Sequence, residues 1–241
     1  MRRVAVRVWE LPVRCFHWVN VVSIVVLGLT GAYIHWPFLV SPRTGEPFLM
    51  GWARLLHLVA GWALVTSLIG RFYWGFVGNR YARWREFFPF LTREGRRRMA
   101  RVLRYYLLLE PRLPPHAGHN AVAATAYAGL FLVLLFQVFS GFALYAQYDP
   151  GGLAYRLFGW LFDLAANRWI RLGHYFVVWI VCAFVIVHVY AMWMSDLANR
   201  DGTSGSMFSG YKYLDALDAP RGSGGGKADR PKAPRPGSVK G

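Results

Sequence analysis

Apolar residues in this chain come in long runs rather than in alternation. Four stretches, 17–36, 51–76, 121–146 and 170–194, carry at most two charged side chains each. A helix rises about 1.5 Å per residue, and the hydrocarbon core of a bilayer is about 30 Å thick. Each stretch is therefore long enough to span a membrane as a helix. The connections read differently. Residues 37–49 are turn-rich and nearly uncharged. The link between the second and third runs is crowded with arginine, and within it Arg93–Glu110 places Leu103, Tyr106 and Leu107 together. That pattern predicts an amphipathic helix lying on the membrane surface with those three residues toward lipid. Leu153–Ala165 predicts a second interfacial segment. After Asp201 the chain becomes rich in Gly, Pro, Ser and basic residues, and 222–241 lacks the apolar surface needed to fold. The expected organisation is an N-terminal segment (1–16), a four-helix membrane domain (17–198) and a tail (199–241). The expected fold class is an all-α membrane protein, a four-helix bundle with interfacial helices.

Composition agrees, at 55% hydrophobic and 17% aromatic residues in a chain of 241. The formal charge of +16 would suggest a nucleic-acid partner until the basic residues are located. Twenty-three of the 28 Lys and Arg lie in the N-terminal segment, the second connection and the tail, against five in the other two connections or near the helix ends they join. The positive-inside rule then places both termini in the cytoplasm. The basic residues mark orientation and contact with anionic lipid, with no need for nucleic acid. Arg2, Arg3, Arg7 and Arg14 precede an apolar run too long for a signal-peptide core and followed by no small-residue cleavage site. Trp9, Trp18 and Trp36 suit interface anchoring. Cys15 and Cys182 form no CxxC or CxxCH pattern, so they read as small apolar fillers.

The chemistry lies in the histidines. His174 and His188 share the last run, fourteen residues apart. That is nearly four helical turns, so both imidazoles point to one face, roughly 21 Å apart along the axis. Ionisable groups at membrane depth are costly and mark function. Threading the chain through four spans sets His17 level with His188 at the cytoplasmic side. His57 is level with His174 at the opposite side. Two opposed imidazoles at one depth suit the axial positions of a haem iron, and two such levels suit two stacked haems. Bis-histidine ligation leaves no open position, which favours electron transfer over oxygen chemistry. Arg-x-x-His recurs as Arg14–His17, Arg54–His57 and Arg171–His174. Residues three apart share a helix face, and each Arg lies a turn nearer water, placed to pair with a haem propionate. Gly28, Gly31, Gly61, Gly129 and Gly141 read as close-packing positions, with Gly61 also able to admit a flat macrocycle beside His57. His35, His116 and His119 fall at helix ends or in connections and are expected at the surface or in caps. An alternative for His119, beside Asn120, is a cytoplasmic quinone pocket.

Several stretches carry a more specific signal: WELPVRCFHW, GAYI, FLMGWARLLHLVAGW, GRFYWGFVGNRYAR, GHN, GFALYA, RLFGW, and HVY followed by SGYK. Through them the chain, from Val8 to about Tyr213, resembles the cytochrome b subunits of membrane-bound nickel–iron hydrogenases. The resemblance implies a di-haem b anchor in the bacterial inner membrane. It would take electrons from the iron–sulfur small subunit of a periplasmic hydrogenase, whose large subunit holds nickel and iron, and pass them to quinone. It would have no hydrogen-splitting site of its own. The family's haem ligands fall on His17, His57, His174 and His188. Many relatives carry adjacent histidines where this chain has His174–Tyr175, so the ligand falls on the first position. Two alternatives stand beside this one. The same architecture serves formate dehydrogenase and thiosulfate reductase, and a non-redox anchor or transporter would use its histidines as proton relays.

Overall fold

A computed structural model of the chain describes residues 3–38, 48–111 and 116–215. Its first long helix, α1 (Leu11–His35), begins six residues before the expected His17. The cause is local: Pro12 sits in the first turn, where its missing N–H would have had no helical partner. The helix ends at Trp36, ahead of Pro37, whose ring disfavours helical geometry in the residue before it. The second, α2 (Leu49–Val77), stops at Gly78. Two short 3₁₀ turns, Trp84–Phe87 and Pro89–Leu91, lead into α3 (Arg93–Tyr106). The Thr92 hydroxyl caps α3 by accepting from Gly95 N at 3.0 Å. Val102 of α3 is buried, while Leu103, Tyr106 and Leu107 stand exposed, the amphipathic layout expected of a surface helix.

The third long helix, α4 (Ala121–Ala146), is capped by Asn120, whose Oδ1 accepts from Ala123 N at 2.8 Å. The expected interfacial segment after it is two short helices, α5 (Leu153–Phe158) and α6 (Leu161–Leu164), divided at Gly159. The fourth long helix, α7 (Asn167–Asn199), closes at Arg200 in the left-handed conformation. These four helices, of 25, 29, 26 and 33 residues, are each long and apolar enough to cross a membrane, and the protein is a multi-pass membrane protein.

In the bundle α1 lies along α2 and α4 along α7. The middle is filled by Leu64 and Leu68 of α2, Leu134 of α4, and Val177 and Val181 of α7, with Ile24 and Leu27 of α1 against them. Large apolar side chains such as Leu29 and Ile186 are 70% exposed. Such an outward face is stable in lipid because each helix satisfies its own backbone groups.

An all-helical reading omits one element. Strand β1 (Arg3–Arg7) pairs antiparallel with β2 (Tyr211–Asp215), Ala5 opposite Tyr213. A short helix, α8 (Ser206–Ser209), precedes β2. Val6, Val8, Trp9, Val13, Ala82 and Leu214 form a small core beneath this pair. Gly210 makes the turn possible. Its φ is +85°, and a Cβ there would lie 2.7 Å from Trp9 O. Its carbonyl accepts from Val8 N and Trp9 N at 2.9 and 3.1 Å. Lys212 and Asp201 form a buried ion pair of 3.1 Å. The start of α1, the end of α2, the start of α4 and the end of α7 all gather at this cap. The tail expected from residue 199 thus begins as folded structure, and 222–241 lies outside the described residues.

Candidate functional site

The histidines of α7 organise the site. His174 lies near the helix's start and His188 fourteen residues on, so both face the bundle axis from one side. His57, near the start of α2, stands opposite His174 with ring centroids 6.4 Å apart and planes at 63°. His17 of α1 stands opposite His188, also at 6.4 Å, with planes at 54°. The four residues grouped by depth in the sequence are thus brought together as two facing pairs. The His17/His188 layer lies toward the cap, and the His57/His174 layer is distal to it. His35 is a useful contrast, stacked directly on Tyr175 at 3.9 Å and 20°. That contact also shows which of His174–Tyr175 points at His57.

The spacing tests what the pairs can hold. A metal–imidazole bond is about 2 Å long and a ring centre lies roughly 1 Å beyond its nitrogen, so two rings axial to one metal ion sit roughly 6 Å apart. Both layers match that figure. No group of three or more His, Cys, Asp or Glu gathers in metal-binding geometry among the described residues. Pairs without a third ligand suit a metal whose other positions are filled by something else, as a porphyrin fills them.

Hydrogen bonds decide which nitrogen is available. Thr30 Oγ1 lies 2.9 Å from His57 Nδ1 and donates its own proton to Val26 O at 2.6 Å. A hydroxyl has one proton to give, so here it accepts from Nδ1–H, leaving the Nε2 lone pair free. Ser140 does the same for His174, 2.9 Å from Nδ1 and donating to Phe136 O at 2.7 Å. Tyr127 Oη lies 3.0 Å from His188 Nδ1. His17 Nδ1 is buried with no hydrogen-bond partner among the described residues. Three of the four rings, His57, His174 and His188, are thus tied at Nδ1, as the second ring nitrogen of a metal-bound histidine almost always is. Sequence reading missed Thr30, Tyr127 and Ser140, whose only signal is a hydroxyl within an apolar span.

The arginines divide. Arg54 and Arg171 are exposed, a turn before His57 and His174. Arg14 donates instead to Phe208 O in the cap, and its Nε is buried without a partner among the described residues. Of the expected surface histidines, His119 needs correction. It is enclosed by Trp9, Phe87 and Tyr127, with ring centroids 4.7, 5.6 and 4.5 Å away. Burial, reinforced by the positive charge of Lys212, pushes its pKa down to about 3. The signal was its place in a connection, which says nothing about what packs over it. Cys15 and Cys182 are free and exposed.

Comparison with known proteins adds a second line. Residues 8–210 match the family described as prokaryotic cytochrome b561. A Cupriavidus necator protein named "Probable Ni/Fe-hydrogenase B-type cytochrome subunit" is 36% identical over 214 residues, covering 86% of this chain and 87% of its own. A Rhodobacter capsulatus protein of the same name is 36% identical over 218 residues, covering 88% and 82%. The Escherichia coli K12 "Probable Ni/Fe-hydrogenase 1 B-type cytochrome subunit" is 35% identical over 214 residues, covering 85% and 89%.

Proposed function

Because the chain belongs to the prokaryotic cytochrome b561 family, we propose that it is the membrane subunit of a nickel–iron hydrogenase, holding two haem b groups and delivering electrons to quinone. The observation that carries this reading is the pair of facing histidine layers, each at 6.4 Å, stacked along α7. The names of the relatives support the hydrogenase partner, and the basic residues of the second connection support cytoplasmic termini. The distal layer then faces a periplasmic iron–sulfur subunit, and the cap side faces the cytoplasm and the quinone acceptor.

His57 and His174 would hold one haem through Nε2, and His17 and His188 the other. Haem b, when bound, would supply a one-electron iron couple at each of the two levels. Thr30 and Ser140 keep His57 and His174 in the tautomer whose free nitrogen is Nε2. Arg54 and Arg171 stand where they can meet propionates leaving the distal layer. Leu64, Leu68, Leu134, Val177 and Val181 fill the space between the layers and exclude water from it.

The test is haem per polypeptide in the intact complex, with reduced-minus-oxidised spectra resolved by potential. Two b-type signals are expected. His57→Ala should abolish one and His188→Ala the other. Loss of the same signal in both variants would refute the pairing, and b-type bands absent from assembled protein would refute the reading.

A further inference from the structure

The hydroxyls that hold the distal layer come with a second feature. Each is followed by a glycine pressed against the same imidazole. A Cβ on Gly31 would lie 3.3 Å from His57 Cε1, and one on Gly141 would lie 3.1 Å from His174 Cε1. We propose that Thr30–Gly31 and Ser140–Gly141 are two copies of one clamp, positioning dipeptides that fix tautomer and plane of the two distal haem ligands. This rests on the haem-binding reading above and adds to it which residues hold the ligands.

The two copies agree in several independent respects. Neither dipeptide lies on the helix whose histidine it holds: Thr30–Gly31 is on α1 and grips His57 of α2, and Ser140–Gly141 is on α4 and grips His174 of α7. In both the order is hydroxyl, then glycine. In both the oxygen lies 2.9 Å from Nδ1 and gives its proton to the carbonyl four residues earlier on its own helix. Back-bonding of that kind is ordinary for Ser and Thr in helices. Here it has a consequence, because with its proton committed the oxygen faces the ring only as an acceptor. The glycine lets the Cε1 edge of the ring lie close to the helix, within reach of that oxygen. A larger residue would push the ring away.

The effect on bound iron follows. Accepting from Nδ1–H makes Nε2 a stronger donor and favours the oxidised metal. A neutral hydroxyl does this more gently than a carboxylate, so the ligand remains neutral imidazole. The cap-side layer carries no copy of the clamp. His188 has a phenol, and His17 Nδ1 has no hydrogen-bond partner among the described residues. The clamp therefore makes two haem levels of equal ring spacing chemically unequal.

The experiment uses the full complex in detergent, comparing wild type with Thr30→Val, Ser140→Ala and the conservative Thr30→Ser and Ser140→Thr. Readouts are potentiometric titration of each b-type signal and its low-temperature EPR spectrum, which reports the relative orientation of the axial rings. Removing either hydroxyl should raise the midpoint potential of one signal and move its EPR features. It should also weaken retention of that haem by about tenfold or more. The other signal should stay in place, and the conservative variants should restore the first. Gly141→Val should lose the same signal altogether. Thr30→Val preserves side-chain shape, so its assembly is expected. Failure to assemble shared by Thr30→Ser would overturn the clamp. So would two wild-type signals that both stay unmoved, or move together, in the hydroxyl-free variants. A wild-type complex without two signals would instead bring down the haem reading, and the clamp with it.

Discussion

The His57/His174 layer is held from within the bundle by α1 and α4, through the Thr30 and Ser140 hydroxyls and the backbone of Leu27 and Gln137, whereas the His17/His188 layer sits under the cap and depends on it. The dependence runs through a series of contacts. Ser206 of the cap accepts from Trp9 Nε1 at 3.1 Å, and Trp9 lies against His119. His119 lies against Tyr127, whose hydroxyl meets His188. On the other side, Trp18, next to His17, donates to Met207 O at 3.3 Å. Equal ring spacing thus comes from two constructions. One uses short back-bonded hydroxyls in the spans, and the other borrows rigidity from a small soluble-like core. Perturbing the cap should reach one layer and leave the other unchanged.

The largest effect comes from the rings themselves, and it separates pairs from individuals. Residues that act as one unit do not contribute additively. The double variant His57→Ala/His174→Ala should retain as much haem as either single variant, about half the wild-type content. The cross-layer variant His57→Ala/His188→Ala should retain essentially none. Haem per polypeptide by alkaline pyridine extraction reads this directly. Equal loss in the two double variants would merge the layers into one site.

The next effect is on the cap. Lys212 and Asp201 are buried together, and Tyr213 N donates to Asp201 O at 2.8 Å. Removing one partner of a buried ion pair leaves an uncompensated charge and costs about 3–5 kcal/mol. Lys212→Met should therefore release β2. Proteases should cut the 200–215 segment faster, and the cap-side signal should shift while the distal one stays. Burial works to raise the pKa of Asp201, but the Thr203 hydroxyl and Lys212 outweigh it and hold the pKa below the ordinary value of 3.8. A lowered carboxylate pKa stabilises the fold above the ordinary value and is lost as pH falls through the folded one. This pair should consequently hold the cap until the medium is more acidic than the usual aspartate range.

What was legible in the sequence follows the same division. Spans and depths of the four histidines could be read because a membrane-crossing run reports both length and level. The cap could not. Arg3–Arg7 is five residues long, and its partner strand begins more than 200 residues later, so no local pattern announces the pairing. SGYK stood out as a shared motif without saying that Gly210 turns the chain onto Val8 and Trp9. Thr30 and Ser140 were hidden differently. A hydroxyl in an apolar helix ordinarily bonds back to its own turn, as both do, and the sequence does not reveal that the same oxygen also receives a histidine proton. Arg14 fitted a repeated spacing, yet spacing alone did not foresee a carbonyl of the cap within its reach.

The smallest effect is on pH response, and it distinguishes the layers without touching a ligand. Burial first, then the positive charges of Lys212, His116 and Arg71 and the nearby His188, push His119 down to about 3, so the folded ring stays neutral. In the unfolded chain the ring takes a proton near the ordinary histidine value of 6.5. Between those two values the unfolded state binds more protons, and stability falls as the pH falls. His119 should thus loosen the packing over Tyr127 well before Asp201 is reached on acidification. His119→Phe keeps a ring in the Trp9–Phe87–Tyr127 enclosure and has nothing to protonate. The denaturant midpoint for loss of the cap-side signal should fall between pH 6 and pH 4 in the wild type, and less steeply in His119→Phe. The distal midpoint should be the same in both proteins. A distal signal that followed His119 would mean that the cap's influence extends through the whole bundle, and the two layers would no longer count as separate constructions.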